Sequence, residues 1–227
     1  MGSVAGGEIG RGGLDETNVR SILETMSKGE LTRQAILDHA TRLATQVGLE
    51  GITIGRLSSE LDLSKSGLFA HFASKRGLQM GILQHAALRF VELVVKPTLT
   101  MTRGEPRVRA LFDYWMKWSR SAECASGCFF VAAAAELDDR PGPARDVLVQ
   151  QQKDWMEAIA TVVGAAISEA DFREDVDPEQ FAQDLYGIML AYHHSWRLLG
   201  DPKAAKRARN AFEALVAAAH PKNKRTE

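Results

Sequence analysis

The segment Thr53–Arg76, TIGRLSSELDLSKSGLFAHFASKR, gathers hydroxyls, two lysines, an aromatic ring and a histidine around two short apolar helices. Ile54, Leu57 and Leu61 recur at helical spacing, and Asp62-Leu63-Ser64 supplies a polar turn. Leu68 with Phe72 then gives the second helix one inner face, leaving Lys65, Ser66, Gly67, Phe69 and His71 on the outer one. These groups suit binding. Lys65 brings a point charge to a phosphate, and Ser66 donates to a phosphate or a base edge. Gly67 permits close backbone approach, and a helix N-terminus attracts anions through its free N–H groups and dipole. Thr53 reads as the cap of the first of these helices, and Ser74 and Lys75 as the start of the next, offering further anchors. Such a surface fits a DNA backbone and major groove, with a three-helix packing module of solvated polar faces as the alternative.

The elements that position these groups are helical. A helix opening at Leu31 or Thr32 carries Ile36, Ala40, Leu43 and Val47 on one face and stops at Gly48 and Gly51. With the two short helices it closes one small core. Ser74 begins a longer helix through Leu78, Ile82, Ala86 and Phe90, ending before Pro97. Further helices are predicted from Pro106, over Gly127–Leu137, from Ala144 to about Ala170, from Pro178 to Gly200, and after Pro202. No run alternates like a strand. The expected fold is all-α: an N-terminal three-helix helix-turn-helix domain over residues 28–76, then a helical ligand-binding and dimerisation domain over 77–220. Residues 1–27, glycine-rich at first and with only Val19, Ile22, Leu23 and Met26 as a marginal apolar face, read as a disordered or frayed tail, and 221–227 as a second tail.

Bulk composition excludes several classes. The 227 residues are 45% apolar with a net charge of −1, so no basic excess coats nucleic acid indiscriminately. From Lys28 to Arg76, seven basic residues face five acidic ones, a mild local balance of the right sign. Two cysteines make no disulfide framework, and no signal peptide or apolar run of roughly 20 residues is evident. A cytoplasmic protein without membrane contact is expected.

Leu31–Gln84 also resembles the N-terminal domain of the TetR family of transcriptional regulators. The resemblance rests on TRQAILDHATRLATQVGLEGITIGRLSSELDLSKSGLFAHFASKRGL, about a quarter of the chain. It implies a homodimeric repressor that binds double-stranded DNA at a palindromic operator and is released by a small effector. By position, Thr53, Lys65, Ser66, Gly67, Phe69, His71 and Lys75 align with family positions that commonly meet DNA, and Arg33 is a further phosphate contact. The family often has tyrosine where this chain has Phe69, which leaves apolar contact with a thymine methyl or sugar.

In the second domain Phe112, Trp115, Met116, Trp118, Phe129 and Phe130 concentrate aromatic and polarizable surface, as small-molecule sites between helices do. Core filling is the alternative for each. Few charges interrupt the cluster, so an apolar or aromatic effector is expected. Small residues Ala158, Gly164 and Ala165, with Leu185 and Ile188, mark two helices for dimerisation; intrachain packing is the alternative. Cys124 and Cys128, four apart, and adjacent His193 and His194 fall short of a metal set, so no metal or cofactor is expected. No nucleophile–base pair or paired acids support an enzyme. A rival regulator, controlled by abundance or a protein partner without any effector, would be favoured by a closed second core.

Overall fold

The computed structural model describes residues 28–124 and 127–221. The face expected at Val19–Met26 and, Pro221 apart, the C-terminal tail lie outside these residues. Among them are nine α-helices of eight residues or more: α1 Lys28–Val47, α2 Ile54–Leu61, α3 Lys65–Phe72, α4 Lys75–Phe90, α5 Glu105–Trp118, α6 Phe129–Leu137, α7 Pro143–Ser168, α8 Pro178–Arg197 and α9 Ala204–Ala219. The chain divides into two compact units, residues 1–35 and 36–227. The expected boundary at 76/77 falls at the start of α4, inside the larger unit.

The predicted caps form. Thr53 Oγ1 accepts from Arg56 N at 3.1 Å, Ser64 Oγ from Gly67 N at 3.0 Å and Ser74 Oγ from Gly77 N at 3.0 Å. Each satisfies an amide with no partner inside its helix. In the acidic run after α7, Asp177 caps α8 through Glu179 N and Gln180 N. Asp171 reaches back to cap α5, its Oδ2 accepting from Glu105 N at 2.7 Å. Gly104 allows this: its φ is +104°, and a Cβ there would collide with the Asp171 carboxylate.

One helix boundary differs from the sequence expectation. The helix begun at Lys75 does not end before Pro97 but runs to Leu99. A π turn at Val91–Val95 shifts the bonding so that Lys96 N donates to Val91 O, and Thr98 Oγ1 donates to Val94 O at 2.7 Å. The proline is thereby absorbed rather than breaking the helix. This continuous 25-residue segment is apolar and long enough to cross a bilayer, unlike any run expected from sequence. Half of its most apolar 18-residue stretch is buried, and Leu78, Ile82 and Leu83 are fully enclosed, as in the core helix of a globular protein.

Two apolar clusters organise the larger unit. One joins Ile36, Leu37, Leu57, Leu68, Phe72 and Ile82 to Phe129, Ala133 and Leu137 of α6 and Leu148 of α7. The other joins Phe112, Trp115, Trp155, Phe181, Leu185 and Phe212 across α5, α7, α8 and α9. Helices α4, α6 and α7 therefore connect the helix-turn-helix to the second cluster.

Candidate nucleic-acid interface and effector cavity

Helix α3 is held by two residues and open elsewhere. Leu68 and Phe72 are buried, whereas Lys65, Ser66, Gly67 and Phe69 are exposed. Phe69 leaves 49% of its surface in solvent, an unfavourable place for a ring with no packing role. The turn before α3 is set by Asp62 at φ 53°, whose N–H donates to Ser58 O. Ser66 Oγ lies 3.1 Å from Ser64 Oγ, beside the cap. His71 is only half-exposed, its ring 6.1 Å from that of Phe72, so its share of the outer face is smaller than expected.

Charge is distributed unevenly. Lys65 has no ion-pair partner among the described residues, and its stem lies beside Gly55. Lys75 Nζ is 2.8 Å from Glu50 Oε2, and Gln79 donates to the same carboxylate at 2.7 Å. These contacts, with Lys75 foremost, hold the Glu50 carboxyl below its ordinary range. Arg56 pairs with Glu60, which also meets His39. Thr53 is exposed beside these groups, and Arg33 lies half-buried on α1 in the smaller unit.

A clamp that the sequence does not announce ties α6 to this surface. Glu136 Oε2 accepts from Leu49 N at 2.6 Å and Oε1 from Glu50 N at 2.8 Å. One carboxylate thus holds two consecutive amides of the loop between α1 and α2, a charge-assisted pair. Gly48, at φ +77°, leaves room for it.

A cavity of about 280 Å³ opens among α4, α5, α6, α7 and α8. Trp115, Trp118 and Phe130 line it, as the sequence suggested. Phe112, Met116 and Phe129 do not. Phe112 is fully buried, stacked on Phe212 at 4.2 Å under the Arg209 guanidinium. Met116 fills the same core, and Phe129 turns into the cluster shared with the N-terminal helices. Their places are taken by Phe90, Trp155, Tyr186, Tyr192 and Trp196 from three other helices. Phe90 meets Trp118 and Trp155 edge-on at 4.9 and 4.8 Å, a favoured aromatic geometry. Val91 and Val95 of the π turn also face the cavity.

His193 lies at its edge, accepting from Cys128 N at Nε2, 3.1 Å away. Burial first, then Arg197, lowers its pKa, so the ring is neutral with its proton on Nδ1. Burial pushes the Cys128 thiol up to about 11 and Cys124 higher still, which keeps both protonated. Among the described residues, no three His, Cys, Asp or Glu side chains converge to hold a metal ion.

Of the residues expected at a dimer face, Leu185 and Ala165 are buried in the chain's own core, because α8 turns that side towards α7 and α9. Ala158, Gly164 and Ile188 remain partly open. The outward surface of α8 is instead Gly187, Leu190 and Ala191, with Leu190 39% exposed. Helix α9 adds Ala211, Ala214 and Ala218, small residues the sequence reading passed over.

Comparison with known proteins adds a second line of observation. A family model for bacterial regulatory proteins of the tetR family matches residues 36–79, and one for the tetracyclin repressor-like C-terminal domain matches 104–212. The HTH-type transcriptional repressor AcnR of Corynebacterium diphtheriae is 33% identical over 76 residues, 33% of this chain and 40% of AcnR. AcnR of Corynebacterium glutamicum is 35% identical over 63 residues, 28% of this chain and 34% of that one. The chain thus spans two fifths or less of the length of these curated relatives. A TetR transcriptional regulator from Chloroflexus aurantiacus superposes with a TM-score of 0.74 at 24% identity, covering 85% of this chain and 96% of that one. AibR in complex with isovaleryl coenzyme A and operator DNA superposes at 0.62 with 19% identity, covering 83% and 98%. These two likenesses show the fold.

Proposed function

The chain belongs to the TetR family of bacterial regulatory proteins, and on that premise we propose that it is a homodimeric, ligand-responsive transcriptional repressor acting on a palindromic operator in the cytoplasm. The observation that carries this reading is the outer face of α3. Lys65, Ser66, Gly67 and a half-exposed Phe69 stand out from a helix anchored only by Leu68 and Phe72. Lys65 and the freed Lys75 contact phosphates, while Ser66, Gly67 and Phe69 meet base edges and sugars. Thr53 and Arg33 add backbone anchors, and His71 contributes only from its open edge.

Two chains pair through the small-residue face of α8 and α9, around Gly187, Leu190, Ala191 and Ala214, bordered by Ala158, Gly164 and Ile188. Their α3 helices then meet half-sites about one helical turn apart, so a small change in separation costs affinity. An apolar or aromatic effector in the cavity, touching Trp115, Trp118 and Phe130, biases α4, α6 and α7 towards a spacing that no longer fits DNA. By linkage, operator DNA weakens effector binding by the same factor. AibR, a protein of the same fold, is seen in complex with both isovaleryl coenzyme A and operator DNA, which supports separate ligand and DNA sites on one chain.

The test is enrichment of genomic fragments on the purified full chain. Fragments sharing one inverted repeat, lost when Lys65, Ser66 and Phe69 are all replaced with Ala, support the proposal. Equal retention of unrelated fragments by both proteins contradicts it.

A further inference from the structure

Helix α6 touches the cavity at one end and the loop between α1 and α2 at the other. Phe130 and Val131, in its first turn, line the cavity, where Phe130 meets Phe90 edge-on at 5.8 Å. Phe129, Ala133 and Leu137 turn instead into the cluster of the N-terminal helices. Glu136 stands in the last turn, roughly 9 Å along the helix axis from Phe130. Its carboxylate holds Leu49 N at 2.6 Å and Glu50 N at 2.8 Å. Glu50 passes that hold on. Its own carboxylate accepts from Lys75 Nζ at 2.8 Å and Gln79 Nε2 at 2.7 Å, at the start of α4. Thr53, the cap of α2, follows three residues later. Two amides thus fix the groups on both sides of the α2–α3 pair. The cavity wall has another polar link to α4, Gln151 Nε2 donating to Leu83 O at 3.0 Å. That is one neutral bond, whereas each bond to the Glu136 carboxylate is roughly twice as strong.

We propose that Glu136 is the positioning residue through which occupancy of the cavity is read at the DNA-binding surface. This rests on the effector reading above and assigns its route. An effector that displaces Phe130 and Val131 moves α6, and the carboxylate leaves Leu49 and Glu50. A shift of about 1 Å carries both bonds beyond hydrogen-bonding length, and helix shifts of that size are within the range of known switches. The freed loop then takes Thr53 and the Glu50 partner of Lys75 out of the arrangement that fits DNA. Gly48 makes the clamp possible, since a Cβ there would come within 2.9 Å of Glu136 Oε2.

The test is anisotropy of the enriched duplex, carrying a red dye, on the full chain with and without saturating N-phenyl-1-naphthylamine. This neutral aromatic probe reports its own binding by fluorescence. In the parent the probe should weaken duplex binding about tenfold or more. Glu136→Gln keeps the side chain's shape but turns an NH2 group towards one of the two amides. Without probe it should bind duplex about as weakly as the probe-filled parent, and the probe should change that by less than about twofold. Gly48→Ala pushes the carboxylate away from the loop side and should lose the response in the same way. A merely weakened interface would lower affinity yet keep the ratio, so the ratio is the readout. Hydrogen exchange needs no variant: in the parent the probe should speed exchange at Leu49 and Glu50. A probe response retained by either variant, or release of duplex with exchange at those amides unchanged, overturns the route and leaves the effector reading standing. A parent that binds no probe, or whose duplex affinity ignores the bound probe, overturns both.

Discussion

Replacing the two lysines beside α3 should have unequal consequences. Lys65 is unpaired among the described residues, whereas Lys75 sits 2.8 Å from Glu50, both side chains being 44% exposed. At that exposure the pair contributes about 0–1 kcal/mol. Releasing Lys75 to a phosphate therefore costs up to about fivefold in affinity per protomer. Once on DNA, each lysine adds about 0.9 to the slope of log affinity against log salt, or about 1.8 for a dimer. Over a roughly fourfold rise in salt, that slope difference is worth about tenfold in affinity. The assay is fluorescence anisotropy of the enriched duplex at several potassium chloride concentrations. Lys65→Ala and Lys75→Ala should each flatten the slope by about 1.8, with Lys75→Ala losing less affinity. Glu50→Gln should tighten binding and make the two lysine variants equally costly. Unchanged slopes in both lysine variants, or weaker binding by Glu50→Gln, would refute the reasoning.

Further outcomes follow from burial and bonding. Phe72→Ala should lose about 3–5 kcal/mol in urea denaturation. Phe69→Ala should stay within about 0.5 kcal/mol of the parent yet lose operator preference. Glu136→Ala leaves the Leu49 and Glu50 amides without their acceptor; it should speed hydrogen exchange there and weaken DNA binding. For His193 the folded pKa lies below the ordinary 6.5, so the unfolded chain protonates first as pH falls. Stability is then full above about 6.5 and is lost as pH drops through the lower folded value, and His193→Asn should remove that part of the denaturation profile. Leu190→Glu should shift sedimentation from dimer to monomer.

The geometry of α3 was largely legible in the sequence because its signals are local. Ser64, Leu68 and Phe72 lie within nine consecutive residues, and cap, turn and inner face follow from spacing alone. The cavity was half legible. Aromatic density marked α5 and α6 but could not say which side of each helix faces inward, so Phe112 and Phe129, packed in cores, stood beside Trp115 and Phe130. Phe90, Trp155 and Trp196 come from helices far apart in sequence, and only tertiary packing brings them together. Glu136 had no local signal, since its partner amides lie 86 and 87 residues away. Pro97 misled for a related reason: the π turn that accommodates it, VELVV at Val91–Val95, contains no turn residue.

Hydroxyl-radical footprinting of the full chain on its enriched duplex, with stoichiometry from sedimentation, addresses the dimeric, α3-mediated reading of DNA. Two protected half-sites on one face of the duplex, one helical turn or a multiple apart with two chains bound, are predicted. A single protected patch, one chain per duplex, or protection unchanged when Lys65, Ser66 and Phe69 are replaced with Ala would contradict it.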